Sequence, residues 1–332
     1  MKESDIRPPD LFNRFLDLSQ TDVQRFFPDT SVFQEISCPG CGHDSSDFAM
    51  EKLGFRYVTC TRCGSLFLNP RPSRAMIHEY YRDSEAVKFW NSHFYKETVD
   101  ARREKIFKPR ALFIDDLVRF SQEQCSQVLV DVGSGYGIFL EEVMKLNRFS
   151  EVLGIEPATE MAAASRDRGF RIVEKPIEMV EPEEVSATVA TAFEVLEHVF
   201  SPLEFLKRMG LLLRPGGIVV LTTLTVSGFD IQVLWENSKS VHPPAHLNLL
   251  SVRGLESLVR RVGFDLIELS TPGQLDVDIV RNAIMENSSL RCERFVRQML
   301  FDAPSPVRDA FQQFLQTHRL SSHVRVVART ET

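Results

Sequence analysis

Short apolar runs alternate with amphipathic stretches over most of the chain from residue 128 onward. A short apolar run predicts a buried strand, and apolar positions that recur every three or four residues predict a helix packed on one face. The predicted strands span residues 128–132, 152–155, 170–173, 187–193, 218–223, 265–270 and 324–328. The clearest helical patterns span residues 159–168, 202–213 and 252–261. Strands that alternate with helices predict an α/β fold with a parallel, doubly wound sheet.

The same patterning divides the chain into four segments. They are an N-terminal helical lead-in at 1–35, a small module at 36–72, a helical linker or lid at 73–124, and the α/β domain at 125–332. Two prolines, Pro70 and Pro72, mark the end of the small module. Within the α/β domain, residues from about 274 to 318 are predicted to form a helical insertion that is broken at two further prolines.

Composition narrows the class of protein. The chain has 332 residues, of which 43% are hydrophobic, so it can bury a substantial core. Its formal net charge of −7 argues against nucleic acid as the main partner, because proteins that bind phosphates are usually basic. The polar N-terminus has no apolar signal segment and no stretch is long enough to span a membrane. We therefore expect a cytoplasmic protein that does not contact membranes.

Four cysteines have the spacing of a structural zinc site. They are Cys38, Cys41, Cys60 and Cys63, arranged as two Cys-x-x-Cys-Gly turns. Each turn directs two sulfurs toward one point, and two such turns complete a tetrahedron of thiolates. Two disulfides or four unrelated thiols are the alternatives, but disulfides are scarce in the cytosol. Four sulfur ligands leave no open coordination position, so the metal would be structural. Cys125 and Cys292 have no partner pattern and are expected to be ordinary thiols.

A glycine-rich turn follows the first predicted strand of the α/β domain. The segment DVGSGYG places Gly133, Gly135 and Gly137 between a strand and a helix, where free N–H groups can meet a ligand. The dinucleotide pattern G-x-G-x-x-G is not met, because position 138 is isoleucine. Asp131 would also repel a pyrophosphate and suits a cationic ligand instead. Glu156, at the end of the second strand, is placed to accept hydrogen bonds from ribose hydroxyls.

Four motifs in chain order resemble those of the class I S-adenosylmethionine-dependent methyltransferases. They are DVGSGYG at 131–137, GIEP at 154–157, FEVLEHV at 193–199 and LLRPGG at 212–217. The cysteine module in front ends in NPRP and resembles the branch with an N-terminal zinc ribbon, which includes sugar C-methyltransferases. The resemblance implies a Rossmann-like, seven-stranded sheet in which strand seven pairs antiparallel beside strand six.

The resemblance also implies which residues bind S-adenosylmethionine. The glycines and Asp131 would surround its methionine part, and Glu156 would hold the ribose. Ile177 would lie near the adenine, while Phe193 and Glu194 would face the methionine part and the entrance for substrate.

Histidines near the predicted substrate side are candidates for a general base. They are His198, after strand four, and His242 and His246, in the segment after strand five. A neutral histidine can accept the proton that a hydroxyl or carbon acid loses on methylation. Alternatively, these side chains bind loop backbone groups or cap a helix, and for His198 this alternative is favoured.

The sequence thus predicts methyl transfer from S-adenosylmethionine to a small-molecule acceptor, such as a sugar nucleotide or a polysaccharide or secondary-metabolite precursor. The alternative is a protein whose zinc ribbon docks on RNA or protein and which methylates a macromolecule. An NAD-dependent enzyme is disfavoured by Asp131 and Ile138. The insertion either packs on the outer face of the sheet or forms an interface between two copies, which makes a homodimer the assembly to test.

Overall fold

A computed structural model describes residues 2–119 and 127–331 of the chain. Cys125, predicted to be an ordinary thiol, lies outside the described residues. No helix within those two ranges is both long enough and apolar enough to cross a bilayer.

Eleven strands within the described residues form two sheets. They are β1 Ser46–Lys52, β2 Phe55–Cys60, β3 Leu66–Leu68, β4 Val128–Val132, β5 Glu151–Ile155, β6 Arg171–Val173, β7 Ala187–Phe193, β8 Leu213–Leu224, β9 Asn248–Leu249, β10 Asp265–Ser270 and β11 His323–Arg329. The larger sheet has seven strands in the order β10-β11-β8-β7-β4-β5-β6. Strands β4 to β8 run parallel, and β11 is antiparallel to β8 and β10. The predicted seven-stranded sheet and its antiparallel last strand are confirmed.

The helices occupy both faces of the larger sheet and the N-terminal segment. They are α1 Glu3–Ile6, α2 Pro9–Phe26, α3 Arg74–Asp83, α4 Glu85–Phe89, α5 Tyr95–Arg102, α6 Lys108–Val118, α7 Ile138–Met144, α8 Thr159–Asp167, α9 Pro202–Leu211, α10 Phe229–Leu234, α11 Val252–Val262, α12 Asp276–Glu286, α13 Arg294–Arg297 and α14 Ser305–Thr317. Two π-helical turns, Trp90–Phe94 and Arg103–Phe107, join α4, α5 and α6 into one continuous helical run over residues 85–118. We call this run the long helix.

Two apolar layers cover the larger sheet. Side chains of α9 and α11 pack on one face, represented by Phe205 and Leu258. Side chains of α6 and α7 pack on the other face, represented by Ile114 and Leu140. Helices on both faces make the sheet doubly wound, as the alternation of strands and helices predicts.

The strand that follows α9 differs from its prediction in length. It begins at Leu213 rather than at residue 218, so the Pro-Gly-Gly segment belongs to the strand. The C-terminal residues supply its partners, since the Gly216 N–H donates to the Glu331 carbonyl and the Thr330 N–H donates to the Gly217 carbonyl. Proline and glycine predict a turn locally, and only the neighbouring strand shows that they lie in the sheet.

The smaller sheet joins the cysteine module to the α/β part. Its order is β1-β2-β3-β9, and β9 comes from the segment after β8, far downstream in sequence. Helix α11 also packs against the module, because Gly254 lies so close to Gly40 that a Cβ on Gly40 would be 3.1 Å from the Gly254 Cα. The Arg261 guanidinium donates to the Gly40 carbonyl at 2.8 Å. The module is therefore packed into the body of the molecule.

Candidate cofactor and acceptor site

The glycine turn lies at the carboxyl end of β4, beside the point where strand order reverses. All three glycines have positive φ, of 76° at Gly133, 54° at Gly135 and 73° at Gly137. A Cβ on Gly133 would be 2.7 Å from the side chain of Val195, and one on Gly137 would collide with the hydroxyl of Ser165. Parallel sheets bind ligands at such reversal points, outside the carboxyl ends of the strands.

Two buried carboxylates flank this turn. Asp131 accepts a hydrogen bond from the Thr191 hydroxyl at 2.6 Å. Glu156 accepts backbone N–H groups of Gly135 at 2.8 Å and Ala158 at 2.9 Å, one on each oxygen. Burial raises the pKa of Asp131 to about 7 and raises the pKa of Glu156 above its ordinary value. A bound cation would favour the charged form of both groups, whereas a phosphate would not.

Glu194 is the centre of a polar cluster beside the turn. Its Oε1 accepts hydrogen bonds from Arg110 Nη2 at 2.7 Å, the Thr222 hydroxyl at 2.6 Å and His323 Nε2 at 2.8 Å. Burial would raise the pKa of Glu194, but the charges of His323 and Arg110 outweigh it and hold the pKa below its usual range. The backbone of Glu194 has a left-handed φ of 56°, a conformation held in place by these contacts.

The other two residues predicted to contact the cofactor occupy different surroundings. Phe193 ends β7, packs edge-on against Phe139 at 4.8 Å and lies under Arg110. Ile177 is 5% exposed and packs in the apolar core beneath α9. The sequence offers no signal for Arg110 or His323, because neither lies in a motif and their contacts to Glu194 cross the whole domain.

The long helix crosses over the glycine turn. The Tyr136 hydroxyl donates to the Asn91 carbonyl at 2.9 Å, and the rings of Tyr95 and Tyr136 lie 5.3 Å apart. This is the segment predicted as a linker or lid.

Glu197, His198 and His246 meet where the segments after β7 and β8 come together. One ligand-type atom from each of the three side chains lies within 4.8 Å of the others. His198 Nδ1 lies 2.9 Å from the Ala245 carbonyl, and His246 Nδ1 lies 2.6 Å from the Ser240 carbonyl. The Tyr81 hydroxyl lies 3.0 Å from His198 Nδ1 and can donate to the Ala245 carbonyl. A carbonyl only accepts, so a proton on each Nδ1, with a lone pair on each Nε2, satisfies these contacts. We call these three residues the Glu-His-His cluster.

His242 lies beside the Glu-His-His cluster but outside it. Its ring is 5.2 Å from that of Phe15 and 6.4 Å from that of His246, and its buried Nε2 has no hydrogen-bond partner among the described residues. Burial lowers the pKa of His242 to about 3 and that of His246 well below its ordinary value. Both imidazoles are therefore neutral at pH 7, but a base with so low a pKa accepts a proton only weakly.

The four cysteine sulfurs of the module at residues 36–72, which we call the ribbon, lie within 4.8 Å of one another. Cys38 and Cys63 sulfurs are 3.6 Å apart, and Cys41 and Cys60 sulfurs are 3.5 Å apart. Zinc with Zn–S bonds of about 2.3 Å needs tetrahedral sulfurs about 3.8 Å apart. All four thiols are free, so the disulfide alternative is not adopted. The two Cys-x-x-Cys-Gly turns match each other, since Gly42 and Gly64 both have a φ of 74°.

Two buried side chains of the ribbon segment hold the loops that follow β7 and β8. The Tyr57 hydroxyl donates to the carbonyl of His246 at 2.7 Å. The fully buried Arg71 donates to the carbonyl of Phe200 at 2.8 Å and to the side chain of Asn248 at 3.0 Å. The ribbon therefore fixes both loops that carry the Glu-His-His cluster.

The fold and the site define a doubly wound α/β protein with a glycine turn at the point where the strand order reverses, and sequence comparison assigns its family. The chain belongs to the methyltransferase-domain family, whose model matches residues 100–269. Its curated relatives include a ubiquinone biosynthesis O-methyltransferase of Bradyrhizobium diazoefficiens, 30% identical over 102 residues, which are 29% of this chain and 39% of that protein. A tRNA U34 carboxymethyltransferase of Pseudoalteromonas translucida is 27% identical over 172 residues, 49% of this chain and 53% of that protein.

Among solved structures, the plantazolicin methyltransferase BpumL in complex with a triazolic desmethylPZN analog and SAH is similar in fold. It aligns with a TM-score of 0.51 and 14% identity, covering 78% of this chain and 96% of that chain. The similarity to the curated relatives covers only about half of their length or less. These comparisons establish the family and the fold.

Proposed function

We propose that this protein binds S-adenosylmethionine on the glycine turn and catalyses methyl transfer to a small-molecule acceptor. The observation that carries the proposal is the pair of buried carboxylates, Asp131 and Glu156, on either side of a turn with no phosphate-binding lysine. Family membership and the methyltransferase relatives support it. When bound, the cofactor would supply a cationic sulfonium and an electrophilic methyl group.

In this proposal each predicted residue has a separate task. Glu156 already holds the turn through Gly135, and each of its oxygens has capacity for a further donor from ribose. Gly133 and Gly135 allow close approach to the methionine part. Glu194 and Phe193 bound the opposite side of the cleft. Positioning the acceptor in line with the methyl group and excluding water supply much of the rate acceleration.

The acceptor would enter from the side of the Glu-His-His cluster, between the segments after β7 and β8. Two of the three predicted bases, His198 and His246, lie close to each other and to Glu197, which supports this assignment. The negative net charge supports a small molecule rather than a nucleic acid. A sugar nucleotide or another precursor of a polysaccharide or secondary metabolite is the class we propose.

We also propose that the ribbon cysteines bind one structural zinc ion. The sulfur separations and the paired turns support this assignment.

Calorimetry tests the cofactor assignment. We expect S-adenosylmethionine and S-adenosylhomocysteine to bind, and NAD not to bind. Glu156→Gln should weaken S-adenosylhomocysteine by about 10-fold or more, because a hydrogen bond to a charged group contributes about 1.5–3 kcal/mol. Glu160→Gln, at an exposed position in the first turn of α8, is the matched control and should bind normally. Binding of NAD in place of the sulfonium compounds would contradict the proposal.

A screen of small-molecule acceptors tests the reaction. Release of S-adenosylhomocysteine should depend on one acceptor class. Methylation of RNA or protein in the same screen, with none of a small molecule, would favour the ribbon-docking alternative.

A further inference from the structure

We propose that Glu197, His198 and His246 bind a divalent transition-metal ion on the acceptor side of the cleft, distinct from the four-cysteine site. The class of ion is that preferred by imidazole and carboxylate together, namely Zn²⁺, Fe²⁺ or Co²⁺. Two histidines and one carboxylate leave coordination positions open.

The first support is distance. The three ligand atoms lie within 4.8 Å of one another. Metal–ligand bonds of about 2.1 Å in a tetrahedral arrangement need ligand atoms about 3.4 Å apart. Binding of an ion would therefore draw together atoms that are up to 4.8 Å apart in the structure.

The second support is the set of hydrogen bonds behind the ligands. Metal-binding histidines usually donate their other ring nitrogen to a carbonyl or carboxylate, which fixes the tautomer and the ring orientation. Here His198 Nδ1 donates to the Ala245 carbonyl and His246 Nδ1 donates to the Ser240 carbonyl. The carboxylate of Glu197 accepts from the Thr223 hydroxyl at 2.7 Å. All three side chains thus have the outer contacts of a metal site.

The third support is charge. Glu197 is 2% exposed and makes no ion pair with any described lysine or arginine. A buried carboxylate without a cation is costly unless it is protonated or coordinates a metal. Because each Nδ1 proton is directed at a carbonyl, the lone pair on each Nε2 of His198 and His246 is the one offered to a metal ion.

The ribbon supplies rigidity to this arrangement. Tyr57 holds the His246 carbonyl, and the Asn248 side chain donates to the Val199 carbonyl at 2.8 Å, so the two ligand-bearing loops are tied together. An ion held by these three side chains would keep coordination positions for further ligands. An acceptor with hydroxyl or carboxylate oxygens could coordinate there, an extension that rests on the proposed function.

Metal content and cobalt spectroscopy test the site. Purified wild-type protein stripped by chelation and reloaded should take up two equivalents of Co²⁺. One should show intense thiolate-to-cobalt charge-transfer absorption from the cysteines. The other should show only the weaker ligand-field bands of nitrogen and oxygen ligands.

Variants assign the second equivalent. His246→Gln and Glu197→Gln should each lose the ligand-field bands and at least 10-fold in affinity for that equivalent, while the thiolate absorption stays. His78→Gln, an exposed histidine on α3, is the control for surface binding and should keep both. Circular dichroism and thermal unfolding establish that the variants are folded.

Uptake of a single equivalent by the wild type would overturn the proposal, and so would a second equivalent that survives in folded His246→Gln and Glu197→Gln. Titration with S-adenosylhomocysteine separates this result from the proposed function. Cofactor binding without a second metal equivalent would refute only the metal-site proposal and leave the proposed function standing. A second metal without cofactor binding refutes the methyltransferase proposal and leaves the metal site standing.

Discussion

At the scale of single residues, Gly137 meets two constraints at once. Its φ of 73° belongs to the left-handed region, and the space where a Cβ would lie is taken by the Ser165 hydroxyl. For residues other than glycine this conformation is less favourable by about 1–2 kcal/mol of free energy. The steric contact adds to that cost, because Ser165 lies in α8 and is itself buried.

We therefore predict that Gly137→Ala lowers the free energy of unfolding by more than about 2 kcal/mol and weakens binding of S-adenosylhomocysteine. Gly169→Ala is the matched control, since its φ is 91° but no atom lies within 4 Å of the added Cβ. Denaturant unfolding measures both. Equal losses in the two variants would show that the contact with Ser165 contributes nothing.

The sequence determines part of the residue-scale picture. Glycine spacing and a preceding strand predict the turn, and the acid after the next strand predicts Glu156. Two of the donors to Glu194 were not predictable, because Arg110 and His323 are 213 positions apart and their meeting depends on how the long helix and β11 pack.

At the scale of elements, the ribbon supports the segment between β8 and α11, which carries His246. Its β3 pairs with β9, and its Tyr57 reaches the carbonyl of His246. The ribbon, which the sequence predicts as a separate segment, is thus connected to the candidate site by both backbone and side-chain hydrogen bonds.

Tyr57→Phe tests this coupling. We expect a loss of about 1 kcal/mol in unfolding free energy, because the His246 carbonyl loses a buried donor. Turnover should fall while affinity for S-adenosylhomocysteine stays unchanged, since the Tyr57 hydroxyl bonds to the loop that carries His246 and not to the glycine turn. Tyr80→Phe is the control, because the buried Tyr80 hydroxyl has no hydrogen-bond partner among the described residues. A cofactor affinity that falls together with turnover in Tyr57→Phe would contradict the separate role.

The second prediction at this scale concerns zinc binding by the ribbon. Replacing Cys63 by serine should remove the ribbon zinc and lower the thermal midpoint by several degrees. Cys63 is buried beside Ser65 and the start of α11, so loss of the metal should loosen the contact between ribbon and helix. Metal analysis with thermal unfolding checks both effects. Cys292→Ser, a half-buried cysteine outside the site, should change neither. Unchanged zinc in the Cys63 variant would contradict the four-thiolate site.

At the scale of the whole molecule, a pair of buried carboxyl groups links the helical insertion to the rest of the fold. Asp230 in α10 is fully buried, and neither of its oxygens has a hydrogen-bond partner among the described residues. Burial, reinforced by the nearby Asp276, raises the pKa of Asp230 to about 7. Asp276 accepts the Ser322 N–H at 2.7 Å and the Gln312 side chain at 2.8 Å.

This pair predicts a pH dependence of stability. Between about pH 4 and pH 7 the folded protein holds a proton on Asp230 that the unfolded chain, with a pKa of 3.8, has released. The unfolding free energy should therefore fall as pH rises through this window, by at most about 1.4 kcal/mol per unit. Asp230→Asn mimics the protonated form, so its thermal midpoint should fall less than that of the wild type between pH 5 and pH 8. Identical pH profiles would show that Asp230 ionises as freely in the folded protein as in the unfolded chain.

The sequence by itself determined the succession of strands and helices along the α/β part, the glycine turn, the acid that follows it and the four-cysteine ribbon. These features are local, because strand and helix periodicity, turn chemistry and ligand spacing all act over a few neighbouring residues. Only the tertiary structure decided that β9 completes the ribbon sheet, that Arg110 and His323 meet Glu194, and that Glu197, His198 and His246 converge. Such contacts join distant segments through packing, and packing depends on the shape of the whole core rather than on any short pattern.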